Sequence, residues 1–222
     1  MSILPHCRFA GLAACILILP FTAAEAQECM GGLAVGDIAQ VVGVSAAGAG
    51  AQRVMVASYE RLGNQFQLAT QAGFSGTSLG STDATVFSSQ VSWRPGEKGE
   101  TGVRACPYLR GTLRNGPSDD RYALRQIEGA AGLSLGRTLS AGTITVAPFA
   151  HLGVLHLRER SRFDGQTGDL SRNIGESGVG VGLRFSDRLM VTPSYRRPFG
   201  AGSPLGAAEP TYSLTMRFGF RR

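Results

Sequence analysis

The sequence predicts an all-β chain: a closed, antiparallel, up-and-down transmembrane β-barrel of ten strands, with eight as the alternative. Three observations carry that expectation. Beyond residue 36 apolar residues recur with period two, and long helical periodicity is missing. The 31 glycines, about twice the usual share, combine with frequent turn residues to divide the chain into short segments. Most of those segments come close to the roughly nine to eleven residues with which a tilted strand crosses a bilayer.

The amino terminus, "MSILPHCRFAGLAACILILPFTAAEAQEC", sets Arg8 before an apolar run from Phe9 to Phe21 and places small residues at Ala24 and Ala26. That is the pattern of a secretory signal covering residues 1–26, cut between Ala26 and Gln27. "LAAC" at Leu12 to Cys15 matches a lipoprotein cleavage box, but the apolar stretch continues past Cys15, where a lipoprotein turns polar. Residues 27–36 read as a short, irregular periplasmic segment and 37–222 as the barrel. The net charge of +6 survives cleavage, because Arg8 and Glu25 leave together. The basic residues are scattered arginines, with Lys98 the sole lysine, so no basic patch is present for nucleic acid.

Taken in order, the candidate strands are 37–46, 52–60, 64–74, 84–94, 102–113, 122–136, 142–157, 174–185, 188–197 and 211–220. Their faces sort best in the second half. "SGVGVGLRF" puts Val179, Val181, Leu183 and Phe185 opposite Gly178, Gly180, Gly182 and Arg184. The last strand, "TYSLTMRFGF", puts Tyr212, Leu214, Met216, Phe218 and Phe220 opposite a small, polar face with Arg217 at its centre. Alternation does not say which face is inside. A soluble barrel buries the large residues, whereas a membrane barrel turns them to lipid and keeps a polar lumen.

Three features favour the membrane arrangement. Glycines gather on the polar face, where arginines need room to lie across a narrow interior. The aromatics Trp93, Tyr195, Tyr212 and Phe220 sit near strand ends, as in interfacial girdles. Connections alternate in length: 61–63, 95–101, 137–141 and 186–187 are short, while 75–83, 114–121, 158–173 and 198–210 are mostly longer. Short periplasmic turns and longer external loops belong to outer-membrane barrels.

Signal, alternation, loop pattern and terminal strand together make the chain resemble the small outer-membrane β-barrel proteins of Gram-negative bacteria. The resemblance implies a bacterial outer-membrane location, a surround of outer-membrane lipid, and recognition by the barrel-assembly machinery. In that family the assembly signal is an alternating final strand with a terminal aromatic. The matching positions are Tyr212, Leu214, Met216, Phe218 and Phe220, although Arg221 and Arg222 follow them here.

Arg104, Arg110, Arg184, Arg188, Arg196 and Arg217 fall on the lumen face, with Gln126, Glu128 and Glu176 against them. They are expected to form an ion-pair network that fills the interior, with a narrow anion path as the functional variant. Cys7 and Cys15 leave with the signal. Cys29 and Cys106 are then expected to form a disulfide at the periplasmic mouth, pinning the amino-terminal segment as a partial plug.

Catalysis finds little support in sequence order. His151 and His156 are the histidines outside the signal; neither has a serine two residues on, and the nearest, Ser161, falls in a loop. No spacing suits a metal or another cofactor, and "GVGVG" lacks the helix and lysine of a phosphate loop. "PGEKGETG" imitates two collagen triplets, too few for a triple helix, and reads as a turn. The expectation is a non-enzymatic outer-membrane barrel with a structural, adhesive or narrow-channel role. Its rivals are an outer-membrane lipid-modifying enzyme and a soluble periplasmic barrel holding a hydrophobic ligand.

Overall fold

A computed structural model describes residues 27–29, 32–34, 38–49, 52–62, 66–77, 80–93, 102–118, 122–141, 143–186, 188–200 and 210–221. The expected signal at 1–26, the expected turn at 95–101 with Lys98, and residues 201–209 lie outside the described residues. The strands are β1 (Gln27–Cys29), β2 (Gly32–Ala34), β3 (Ile38–Ala49), β4 (Gln52–Leu62), β5 (Phe66–Thr77), β6 (Gly80–Trp93), β7 (Arg104–Ser118), β8 (Tyr122–Gly136), β9 (Leu139–Ala141), β10 (Ile144–Phe163), β11 (Gln166–Arg184), β12 (Leu189–Phe199) and β13 (Thr211–Arg221).

Ten of them form one closed ring. β3 to β8 pair in chain order, β8 pairs with β10, β10 to β13 continue, and β13 returns to β3. Every pairing is antiparallel, and the closing seam runs from Tyr212↔Gly48 to Arg221↔Ile38. The first hairpin therefore belongs to the wall, which decides for ten strands over eight. Closure removes the unpaired edges that an open sheet would leave in lipid.

The wall has a polar inside and an apolar outside. On β13 the outward residues Tyr212, Leu214, Met216, Phe218 and Phe220 are all exposed, whereas Thr215 and Gly219 are buried. β7 does the same, burying Arg104, Cys106 and Tyr108 while Leu109 stands 65% exposed. Large apolar side chains lining the whole outer wall make sense against hydrocarbon and not against water. Aromatics mark both ends of this belt. Phe66 and Trp93 pair at the mouth shared by the chain ends of the wall, and Tyr195 and Tyr212 pair near the other, their ring centroids 5.0 Å apart.

Two expectations are corrected. Within 27–36 the described residues are not irregular, since β1 and β2 pair antiparallel and lie against β7, β8, β10 and β11. The segments 75–83, 114–121 and 158–173 are largely strand, not loop, so the expected alternation in loop length resides in strand extensions. β10 and β11 pair without a break from Thr145↔Arg184 to Phe163↔Gln166. Their turn is Asp164-Gly165, both in the left-handed region (φ 46° and 81°), as a two-residue hairpin twisting with its strands requires.

This long hairpin also locates the end of the belt. Outward residues of β10 run Leu152 and Val154, then His156, Arg158, Arg160 and Arg162, while the inward Leu155 and Leu157 become buried. The outward face thus turns from apolar to polar between Val154 and His156. The nine residues from Leu155 to Phe163, roughly 30 Å of strand, stand beyond the apolar belt.

Candidate functional site

Among the described residues two ionic clusters stand out in the lumen, each centred on one buried carboxylate. Glu176 on β11 has no exposed surface. Tyr108 donates its hydroxyl to Glu176 Oε1 at 2.8 Å, Arg110 donates to Oε2 at 2.7 Å, and Arg196 reaches the same oxygen at 3.4 Å. Four strand positions lie in one row around the wall: Tyr108, Gly132, Gly153 and Glu176. Tyr108 crosses the two glycines between them, and a Cβ at either would come within 2.7 Å of its hydroxyl oxygen. One row below, the His151 ring lies over Gly178, and below that the Phe149 ring lies over Gly180. The glycines of this face make room mainly for rings, where arginines were expected.

Glu60 on β4, 2% exposed, centres the second cluster. Arg217 Nε donates to its Oε1 at 2.5 Å, Gln67 donates to Oε2 at 2.9 Å, and Arg217 also donates to Thr192 Oγ1 at 2.9 Å. Arg217 passes over Gly43 of β3, where a Cβ would stand 3.2 Å from its Cγ. Two carboxylates at low exposure, each held by arginine and a second donor, form satisfied networks of the kind that fixes a packed interior.

Of the residues expected in this network, Arg110, Glu176, Arg196 and Arg217 are brought into these contacts, and Arg104 is buried on the same face. Glu128 and Arg184 are half-buried there as well. Arg188 is a correction: it lies exposed in the turn before β12, and its backbone carbonyl accepts from Gly219. Glu60, Tyr108 and Gln67 were missed. The period-two pattern does put Glu60 on the inner face, but Arg217 is 157 residues away and only ring closure joins them. Cys106 is fully buried, opposite Ser134.

The histidines part ways. His151 is buried in the lumen edge-on to Tyr108, with ring centroids 6.1 Å apart, and neither ring nitrogen has a hydrogen-bond partner. His156 faces outward. Further along the hairpin Arg158 grips Asp169 with Nε to Oδ1 at 3.2 Å and a second nitrogen to Oδ2 at 2.7 Å. These hydrogen bonds hold the Asp169 carboxyl below the usual aspartate range and raise the Arg158 guanidinium further. Among the described residues no group of three His, Cys, Asp or Glu side chains could hold a metal ion.

The β domain of the autotransporter BrkA from Bordetella superposes on this ring with a TM-score of 0.51 at 13% identity, covering 82% of this chain and 98% of that one. The chain has the outer-membrane β-barrel fold. This barrel is also similar to the translocator domain of the autotransporter NalP from Neisseria meningitidis, with a TM-score of 0.49, 11% identity, and 85% and 90% of the two chains covered. For the outer membrane protease OmpT from Escherichia coli the TM-score is 0.44 at 9% identity, with 82% and 97% covered. By sequence the barrel matches no protein-family model and no curated protein. At these identities the likeness is one of fold, so activity has to be argued from the residues.

Proposed function

We propose that the protein is an integral barrel of the bacterial outer membrane with a closed lumen, anchoring the long β10–β11 hairpin at the cell surface in a structural or adhesive role. The observation that carries this reading is the filled interior. The Glu176 cluster ties together β7, β11 and β12, the Glu60 cluster ties together β4, β5, β12 and β13, and the bulky Tyr108, Phe149, Leu155 and Leu157 are buried on the same inner face. This packing favours a closed interior over a narrow channel.

The β1–β2 hairpin completes the plug. It lies against β7, β8, β10 and β11, where even the small inward residues Cys106, Ser134 and Ala147 are wholly covered. A disulfide between Cys29 of β1 and Cys106 of β7 pins it there. That bridge closes a loop of about 78 residues and contributes about 4 kcal/mol by the chain-entropy relation. The outward row Tyr212 to Phe220 serves as the signal read by the barrel-assembly machinery.

Conductance of the purified barrel in a planar bilayer tests the reading. The non-reduced protein is expected to be silent, and Cys106→Ala to show intermittent openings as the hairpin leaves. A steady, ohmic pore in the non-reduced protein would contradict it.

A further inference from the structure

His156, set aside in sequence order for want of a nearby serine, receives one from the neighbouring strand. On the outward face it lies directly opposite Asn173 and diagonal to Ser171 of β11. His156 Nδ1 is 2.8 Å from Asn173 Oδ1, and Ser171 Oγ is 3.5 Å from His156 Nε2. An amide oxygen accepts from Nδ1–H, which fixes the tautomer and leaves the Nε2 lone pair toward the serine. Nucleophile, base and orienting group therefore stand in sequence of contact.

A groove leads to this group. Ser89, Gly111, Gly129 and His156 occupy one row across β6, β7, β8 and β10. Gly111 and Gly129 leave the floor bare, with nothing within 4 Å of where a Cβ would stand. Val91, Leu109 and Val154 line one side of the resulting groove of about 630 Å³, and His156 closes its end. Three strand spacings, about 14 Å, separate Ser89 from His156. The groove opens on the lipid-facing wall, at the level where the outward face turns from Val154 to His156. Just beyond lie Arg158 and Arg160, which share the one carboxylate of Asp169 and so keep a net positive charge toward an anionic headgroup.

We infer that this outer wall is an interfacial acyl-ester hydrolase site, which takes one acyl chain of an anionic membrane lipid into the groove and its ester to Ser171. His156 Nε2 removes the Ser171 proton as Oγ attacks the ester carbonyl. The tetrahedral adduct expels the lipid alcohol, which takes that proton, and an acyl-serine remains. Water then attacks, giving its proton to Nε2; the carboxylic acid forms, and Ser171 Oγ leaves with the proton restored. Ser171 and His156 are the catalytic residues, and Asn173 is a positioning residue. The site is independent of whether the lumen is plugged, and it replaces the non-enzymatic expectation for this face.

The test uses the full-length barrel, refolded in detergent, with folding checked by heat-modifiable migration. Vesicles of dioleoylphosphatidylglycerol are the lipid probe and p-nitrophenyl acetate the soluble one; a long-chain fluorophosphonate traps an activated serine. Fatty acid release is expected, with the trap mapping to Ser171. Ser171→Ala and His156→Ala should each lose on the order of a hundredfold or more of the rate, while Ser161→Ala retains it. Asn173→Ala should slow turnover and Asn173→Asp restore it, with the acid limb of the pH profile moved upward. Gly129→Leu should depress lipid hydrolysis more than acetate hydrolysis. A folded barrel no faster than its Ser171→Ala variant, or a trap at another residue, would overturn the site. An equal effect of Gly129→Leu on both substrates would overturn the groove assignment.

Discussion

Tyr108 reaches Glu176 because Gly132 and Gly153, which separate them around the wall, have no side chains to obstruct the ring. Glu176 in turn is the only described acceptor for Arg110 and Arg196 at this level. Replacing it by glutamine strands two cations in a covered interior, and the expected loss is about 3–5 kcal/mol. Urea unfolding in detergent micelles, followed by the shift in gel mobility, measures it. Arg217→Leu leaves Glu60 with the same problem and should likewise lower stability while still allowing assembly. The exposed Asp169 titrates by a different logic. Its folded-state pKa is depressed by the Arg158 hydrogen bonds, so its contribution is complete above the ordinary aspartate pKa and disappears as pH falls through the depressed value. Protease protection of the hairpin tip should therefore persist through neutral and mildly acidic pH, weaken only in strong acid, and weaken earlier with added salt. Asp169→Asn should flatten that acid response.

β11 shows why elements are easier to read than sites. Its alternation of Val179, Val181 and Leu183 with Gly178, Gly180 and Gly182 marks both strand and facing from local sequence alone, and the ring bears this out. What the glycines accommodate is a property of β10, whose His151 and Phe149 lie on them. Gly178→Ala puts a Cβ about 2.2 Å from the His151 ring, so the ring has to move; an expected destabilisation of about 1–3 kcal/mol follows, read by the same unfolding assay. The β10–β11 turn was also legible. Asp164-Gly165 is the dipeptide that a tight hairpin prefers, but it falls inside 158–173, which the breaks in alternation made a long connection. Charge reports solvent, not irregularity: once the strands leave lipid, their outward face becomes polar while pairing continues. Ser171 and Asn173 stayed hidden for a related reason, because a cross-strand neighbour is set by register and not by spacing along the chain.

At the scale of the molecule, ten strands, closure and the outward apolar face all follow from one pattern of alternation, because a sheet in hydrocarbon has to satisfy its own backbone. The central claim is the direction of the two faces, and labelling at single introduced cysteines tests it most directly. In the protein reconstituted in lipid, Phe218→Cys and Val181→Cys carrying a fluorophore should be quenched by lipids brominated on their acyl chains and should resist a water-soluble maleimide. Gly165→Cys at the hairpin tip should react freely and show no such quenching. Equal reaction of water-soluble maleimide at 218, 181 and 165, without quenching from the acyl chains, would contradict the membrane barrel.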